Sequence, residues 1–117
     1  MELKRYCLVI ELKEENMEEY KKIHMNPWTE ILEAIKSAEV EELLIWSYRN
    51  FSIVYYKCND INRVYSELGK LDAVKRWNKT VSPWVKSSPT LDGSGNVDTL
   101  QKIFDLKQQL KGKLEHY

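Results

Sequence analysis

Histidine is scarce in this chain, with two copies among 117 residues, and His116 stands second from the end. Cysteine is equally rare, at Cys7 and Cys58. No His, Cys and Asp cluster has metal-ligand spacing, which argues against a metal site. Both thiols lie in apolar, strand-like runs, so reduced cysteines are expected rather than a bridge, and with them the cytosol. An excess of charge is also missing: 18 basic residues balance 18 acidic ones. Without a long basic run, nothing calls for nucleic acid or an anionic membrane as partner. No apolar stretch approaches the ~20 residues of a membrane span. The start, MELKRYCLVIELKEENM, turns acidic too soon for a signal peptide. Internal repeats are absent. The length fits a single domain over 1–117, and a domain of this size buries roughly 65% of its unfolded surface, so it needs no staple.

The patterning that remains is informative. RYCLVIEL (5–12) has the β-branched and aromatic character of a first strand. Met17, Tyr20, His24, Trp28, Ile31 and Ile35 then recur at three- and four-residue steps, which predicts one face of a helix. Asn16 followed by Glu19 has capping-box spacing, and Glu18 and Glu19 suit the positive end of that helix. Pro27 removes a backbone donor, so the helix is expected to kink or split there. ELLIWSY (42–48) and FSIVYYKC (51–58) read as strands of a hairpin across Arg49 and Asn50. A second helical stretch carries Ile61, Val64, Tyr65, Leu68, Leu71, Val74, Trp77 and Val81, punctuated by Gly69 and stopped near Pro83. Residues 86–98 are loop by composition, longer than a compact domain usually carries. LQKIFDL (100–106) reads as a last strand, and 107–117 as a polar tail, frayed or helical.

The order is β-α-β-β-α-β, an α+β domain of the ferredoxin-like type. Along the first strand Tyr6, Leu8 and Ile10 point one way and Cys7, Val9 and Glu11 the other. With helices on one face only, the opposite face of the sheet is left for a partner subunit or a ligand. Fold alone does not give function.

His24 has two readings, a hydrogen-bonded histidine at a helix boundary or a general acid/base. An imidazole titrating near pH ~6.5 can both give and take a proton. Its company favours chemistry, since Tyr20 and Trp28 stand one turn to either side. Four tryptophans and seven tyrosines exceed the needs of a core this size. Trp28, Trp46, Trp77 and Trp84 suit a core or an interface, and equally the C–H patches of a sugar. Lys75 and Arg76 beside Trp77 read as solvated stems packed on a ring. DGSGN (92–96) is a flexible turn and not a phosphate loop. No Ser-His-Asp or Cys-His arrangement presents itself, which argues against nucleophilic catalysis.

Over nearly its whole length the chain resembles the L-rhamnose mutarotases, a family with a branch acting on L-fucose. The resemblance rests on EEYKKIHMNPWTEILEAIK, where Tyr20, His24 and Trp28 stand four apart, on VKRW (74–77) and on LQKIFDL. It implies a dimeric α/β barrel of two identical subunits, with each site on the inner sheet face. It implies a monosaccharide substrate and no cofactor. The proton donor would fall on His24 and a substrate-contacting tyrosine on Tyr20, which would be the hydrogen-bond partner or second acid/base group. Trp77 would be the pocket tryptophan, with Trp28 helping to hold the ring. The chain departs from the rhamnose branch at Leu43, in place of a strand tyrosine with Trp46 shortly after, and at Asn78, in place of a second tryptophan. Both bear on which 6-deoxy aldose, L-rhamnose or L-fucose, is converted between anomers. Dimeric barrels also include cofactor-free monooxygenases and haem-degrading enzymes, and a non-catalytic sugar-binding or dimerisation module is a third reading.

Overall fold

The computed structural model describes residues 2–88 and 97–114. Strand β1 (Lys4–Leu12) leads through a 3-10 turn (Glu14–Asn16) into helices α1 (Met17–Met25) and α2 (Thr29–Ser37). Strands β2 (Glu42–Tyr48) and β3 (Phe51–Cys58) follow, then α3 (Ile61–Leu68) and α4 (Asp72–Val81). A second 3-10 turn (Ser82–Trp84) leads into β4 (Val85–Ser87), and α5 spans Leu106–Leu114. The sheet is antiparallel with order β2-β3-β1-β4, as a ferredoxin-like unit requires.

Register decides which side chains are covered. Leu8 opposes Val54, Tyr6 opposes Tyr56 and Ile10 opposes Ser52, so the even positions of β1 and β3 share one face. Leu43 and Ile45 join that face through Tyr56 and Val54. Leu8, Val54, Tyr56 and Cys58 meet Ile31, Ala34, Val64 and Val74 of the helices in the main core. Full burial of a Leu or Val is worth about 1.5–3 kcal/mol each, so this layer holds the helices down. On the opposite face Leu44, Trp46 and Tyr48 remain exposed.

Pro27 splits the first helical stretch as its chemistry demands. Asn26, just before it, takes φ −140° and ψ 70°, off the helix, and Trp28 is extended at φ −64° and ψ 140°. The second stretch divides at Gly69 into α3 and α4. Asp60 starts α3, its carboxylate accepting from the N–H groups of Asn62 (3.0 Å) and Arg63 (3.3 Å).

Three expectations are corrected. Asn16 gives no side-chain cap to α1, because the preceding 3-10 turn holds its backbone at φ −109° and ψ 7° instead of the extended form that capping needs. The last strand is Val85–Ser87, inside what read as loop, because its backbone pairs with Glu11 and Leu12 at the free edge of β1. The segment 100–105 forms no strand: Leu100 donates one backbone hydrogen bond to Cys7 (2.8 Å), after which Ile103 and Phe104 stand exposed. The segment therefore touches the outer edge of β1 at one point without forming a ladder along it. The tail is helical over Leu106–Leu114. The turn expected at 92–96 lies outside the described residues.

Candidate active site

Three helices and one central strand bring the rings together. From α1, Tyr20 points to the sheet and is buried at 4% exposure, and its hydroxyl meets Ser52 of β3 at 2.7 Å. One turn later the half-buried His24 lies against it, the ring centroids 4.0 Å apart and tilted by 32°. From α4, Trp77 presents its indole edge-on to His24, with centroids 5.2 Å apart and an interplanar angle of 82°. Trp28, at the start of α2, meets the same indole at 5.2 Å and 84°. Edge-to-face geometry at this distance is attractive beyond the area it buries.

The imidazole is held in one tautomer. His24 Nδ1 lies 2.7 Å from the Tyr20 carbonyl oxygen, which can only accept, so Nδ1 carries the hydrogen and Nε2 the lone pair. Burial pulls the His24 pKa below its ordinary 6.5, opposed by the hydrogen bond to the Tyr20 carbonyl. The group is therefore a neutral base at pH 7. The Tyr20 phenol is pushed the other way, raised by burial and eased by its hydrogen bond with Ser52.

Around this centre the outer helices are clasped together. The Arg76 guanidinium pairs with Glu30 of α2 and with Asp72 at 3.2 Å, and lies 5.9 Å above the Trp28 ring. The guanidinium, not the stem, thus lies over a ring, and the ring is Trp28 and not the neighbouring Trp77, with an ion pair across α2 and α4 added.

The remaining candidates fall elsewhere. Leu43 is on the helix-covered face and packs against the main core, directly opposite Tyr56, which meets Tyr65 of α3 at 5.6 Å. Asn78 is exposed on α4, next to Trp77. Trp46 opposes Ile53 on the uncovered face and is 56% exposed, so the whole thickness of the sheet separates it from His24. Placement of the site on the open inner sheet face is thus overturned, because Tyr20 reaches the sheet through Ser52, on the side the helices cover. The expected Tyr20-His24-Trp28 stripe is also broken: α1 ends at Met25, and Trp77 links the other rings. A groove of about 350 Å³ lined by Glu19, Lys22, Ile23, Asn26 and Trp84 follows a different face of α1 and includes none of these rings.

Ser52 and the Glu30–Arg76 pair escaped the sequence. Ser52 had a signal, as the one small hydroxyl side chain at an inward position of FSIVYYKC with Val54, Tyr56 and Cys58. The ion pair joins residues 46 apart and had none.

Comparison with known proteins follows the same pattern. The tetracenomycin F2 cyclase of Streptomyces glaucescens, a type-II polyketide cyclase, shares the fold at a TM-score of 0.53 and 12% identity, over 87% of this chain and 95% of that one. An L-rhamnose mutarotase from Formosa agariphila superposes at a TM-score of 0.66 with 20% identity, over 87% of this chain and 97% of its own. The L-rhamnose mutarotase of Clostridium beijerinckii is 27% identical over 99 residues, 84% of this chain and 93% of that protein. The family model described as L-rhamnose mutarotase matches residues 5–106, which contain every ring of the site. With that match spanning most of its length, the chain belongs to the L-rhamnose mutarotase family, a family of isomerases.

Proposed function

We propose that this chain interconverts the α and β anomers of L-rhamnose, with His24 as the proton carrier. The observation that carries the reading is the imidazole fixed through Nδ1 on the Tyr20 carbonyl, which leaves the lone pair on Nε2, with the Trp77 indole edge-on to the ring and Trp28 packed on Trp77. Anomer exchange opens a hemiacetal: the proton on the anomeric hydroxyl leaves, the bond from C1 to the ring oxygen breaks, and the ring oxygen is protonated. Neutral Nε2 takes the first proton, and the imidazolium returns one to the ring oxygen. Rotation about C1–C2 and the reverse steps close the ring on the other face. Protons balance, and no redox step occurs. Positioned proton transfer contributes about 10²–10⁴-fold, which suffices for a reaction already measurable in water. Trp77 and Trp28 would pack on the C–H patches of the sugar, while Leu43 and Asn78 would help choose between L-rhamnose and L-fucose, which differ in configuration at C2 and C4.

A second copy would cover the open sheet face, where register aligns Leu44, Trp46, Tyr48, Ile53 and Tyr55. That supports a homodimeric barrel closed by two sheets, although each His24 stays on the helix side of its own subunit. Cys7 and Cys58 are free thiols, which supports a cytoplasmic setting. No helix among the described residues is long and apolar enough to cross a membrane. Selective saturation of the anomeric proton resonances tests the activity. L-rhamnose should show accelerated transfer between anomers, and L-fucose a different rate. A protein that leaves the exchange of both sugars at its uncatalysed rate is not a mutarotase for them.

A further inference from the structure

Strand β3 asks for apolar side chains at its inward positions, and Val54, Tyr56 and Cys58 comply. Ser52 does not, although it is fully buried, with 0% exposure. A buried hydroxyl is destabilising unless it is hydrogen-bonded. The partner of Ser52 is the Tyr20 phenol at 2.7 Å, a contact that crosses from the central sheet to α1. Tyr20 in turn carries His24 twice, through its carbonyl on Nδ1 at 2.7 Å and through its ring at 4.0 Å. Its hydroxyl is committed to the core, while its main chain and ring face hold the imidazole.

We infer that Ser52 is a positioning residue of the catalytic apparatus, anchoring the Tyr20 phenol so that Tyr20 supports His24 and takes no part in proton transfer. This rests on the mutarotase reading and deepens it. A single imidazole then serves both proton steps, and the phenol keeps its hydrogen throughout. Release of the anchor lets the Tyr20 ring swing, water reach the imidazole, and the neutral base lose its dry surroundings.

The test compares Ser52→Ala, Tyr20→Phe and the double variant. Two readouts are followed: kcat and KM for anomer exchange over a range of pH, and titration of the His24 ring by NMR in the sugar-free protein. Each single change should lower kcat by about 2- to 12-fold, the range one hydrogen bond carries. The double variant should lose no more than the worse single one, because one contact has been removed from either end. The titration midpoint of His24 and the acid limb of kcat/KM should both move upward toward ordinary histidine, and Ser52→Thr should restore both. Two results overturn the inference. A loss of 100-fold or more in Tyr20→Phe but not in Ser52→Ala makes the phenol a proton-transfer group. An unchanged kcat and His24 titration in Ser52→Ala leaves the serine a core filler. Should Ser52→Ala fail to fold, Tyr20→Phe keeps the ring and decides by the same two readouts. Wild-type protein that fails to accelerate exchange sinks the mutarotase reading alone, because the titration still measures the support of His24.

Discussion

Replacement of His24 by glutamine separates chemistry from stability more cleanly than any other change in this molecule. The native side chain makes one hydrogen bond to the Tyr20 carbonyl and touches two rings, Tyr20 at 4.0 Å and Trp77 at 5.2 Å. The bond is worth about 0.5–1.5 kcal/mol, and each ring contact about the same. Their loss removes about 1.5–4.5 kcal/mol of stability, and less wherever the glutamine amide donates to the same carbonyl. Domains of this kind hold about 5–15 kcal/mol, so the variant stays folded. Loss of the proton carrier is a separate and larger effect on rate. A factor of about 10²–10⁴ corresponds to about 3–5.5 kcal/mol of barrier.

The assay is saturation transfer between anomers over a range of sugar concentration, with circular dichroism on the same samples. The expected result is a kcat lowered at least 100-fold, a KM little changed, and a thermal transition that remains cooperative. If the folded glutamine variant turns over within tenfold of wild type, His24 is no proton carrier and the site must be sought elsewhere.

Three further outcomes follow from the geometry. Because burial holds the His24 pKa below 6.5, the unfolded chain takes up a proton while the folded one is still neutral. The unfolded state then binds more protons, so the contribution of His24 to stability is complete above about pH 6.5 and is lost as pH falls toward the folded pKa. Thermal midpoints across this range should decline more steeply in wild type than in His24→Gln, and equal slopes would contradict the assigned burial effect. Asp60→Ala removes the cap that receives the Asn62 and Arg63 N–H groups, and urea unfolding should register a loss of about 0.5–2 kcal/mol with little change in anomer exchange. Trp46→Glu places a charge on the open sheet face while leaving the core intact, since the indole is already 56% exposed. On the proposed homodimer, sedimentation velocity should find dimers turned into monomers, with a thermal midpoint that no longer depends on protein concentration, and a surviving dimer would mean that another surface joins the subunits.

Much of the fold was legible because the governing signals are local. The β-branched and aromatic run over 5–12 and the hairpin around Arg49 and Asn50 need no distant partner to be recognised, and β1, β2 and β3 lie where those runs placed them. The failures all turn on competition between segments. Val85–Ser87, a three-residue stretch without a pattern to read, pairs with β1 at Glu11 and Leu12, while LQKIFDL, which has a strand pattern, reaches the same edge by a single bond from Leu100 to Cys7. Asn16 has capping chemistry, yet the turn before it sets its backbone first. In the site, Tyr20 and His24 were found by spacing within one helix. Trp77 was named by resemblance to a family, but its contact with His24 joins residues 53 positions apart. Leu43, Asn78 and Trp46 were chosen as pocket residues, and register alone sends Trp46 to the far side of the sheet.

Pro27 shows why spacing cannot simply be read through a helix breaker. In one continuous helix, Tyr20, His24 and Trp28 would form a stripe, and the imidazole would be flanked only by its own neighbours. Pro27 removes a donor and forces Asn26 out of the helical region, so Trp28 begins a new helix from an extended backbone. Its indole is then met by Trp77 edge-on, and the Glu30–Arg76 pair ties the new helix to α4 beside that contact. The site gains a wall from a distant part of the chain, which a single stripe could not supply. The break also ends α1 just past His24, which stands in the last turn of that helix. From that turn His24 reaches its i−4 carbonyl through Nδ1, and this bond fixes the tautomer. Straightening the helix, for example by Pro27→Ala, should therefore disturb the indole wall while the Nδ1 bond within α1 persists. Anomer exchange would fall even though the core residues Ile31 and Ala34 keep their apolar character.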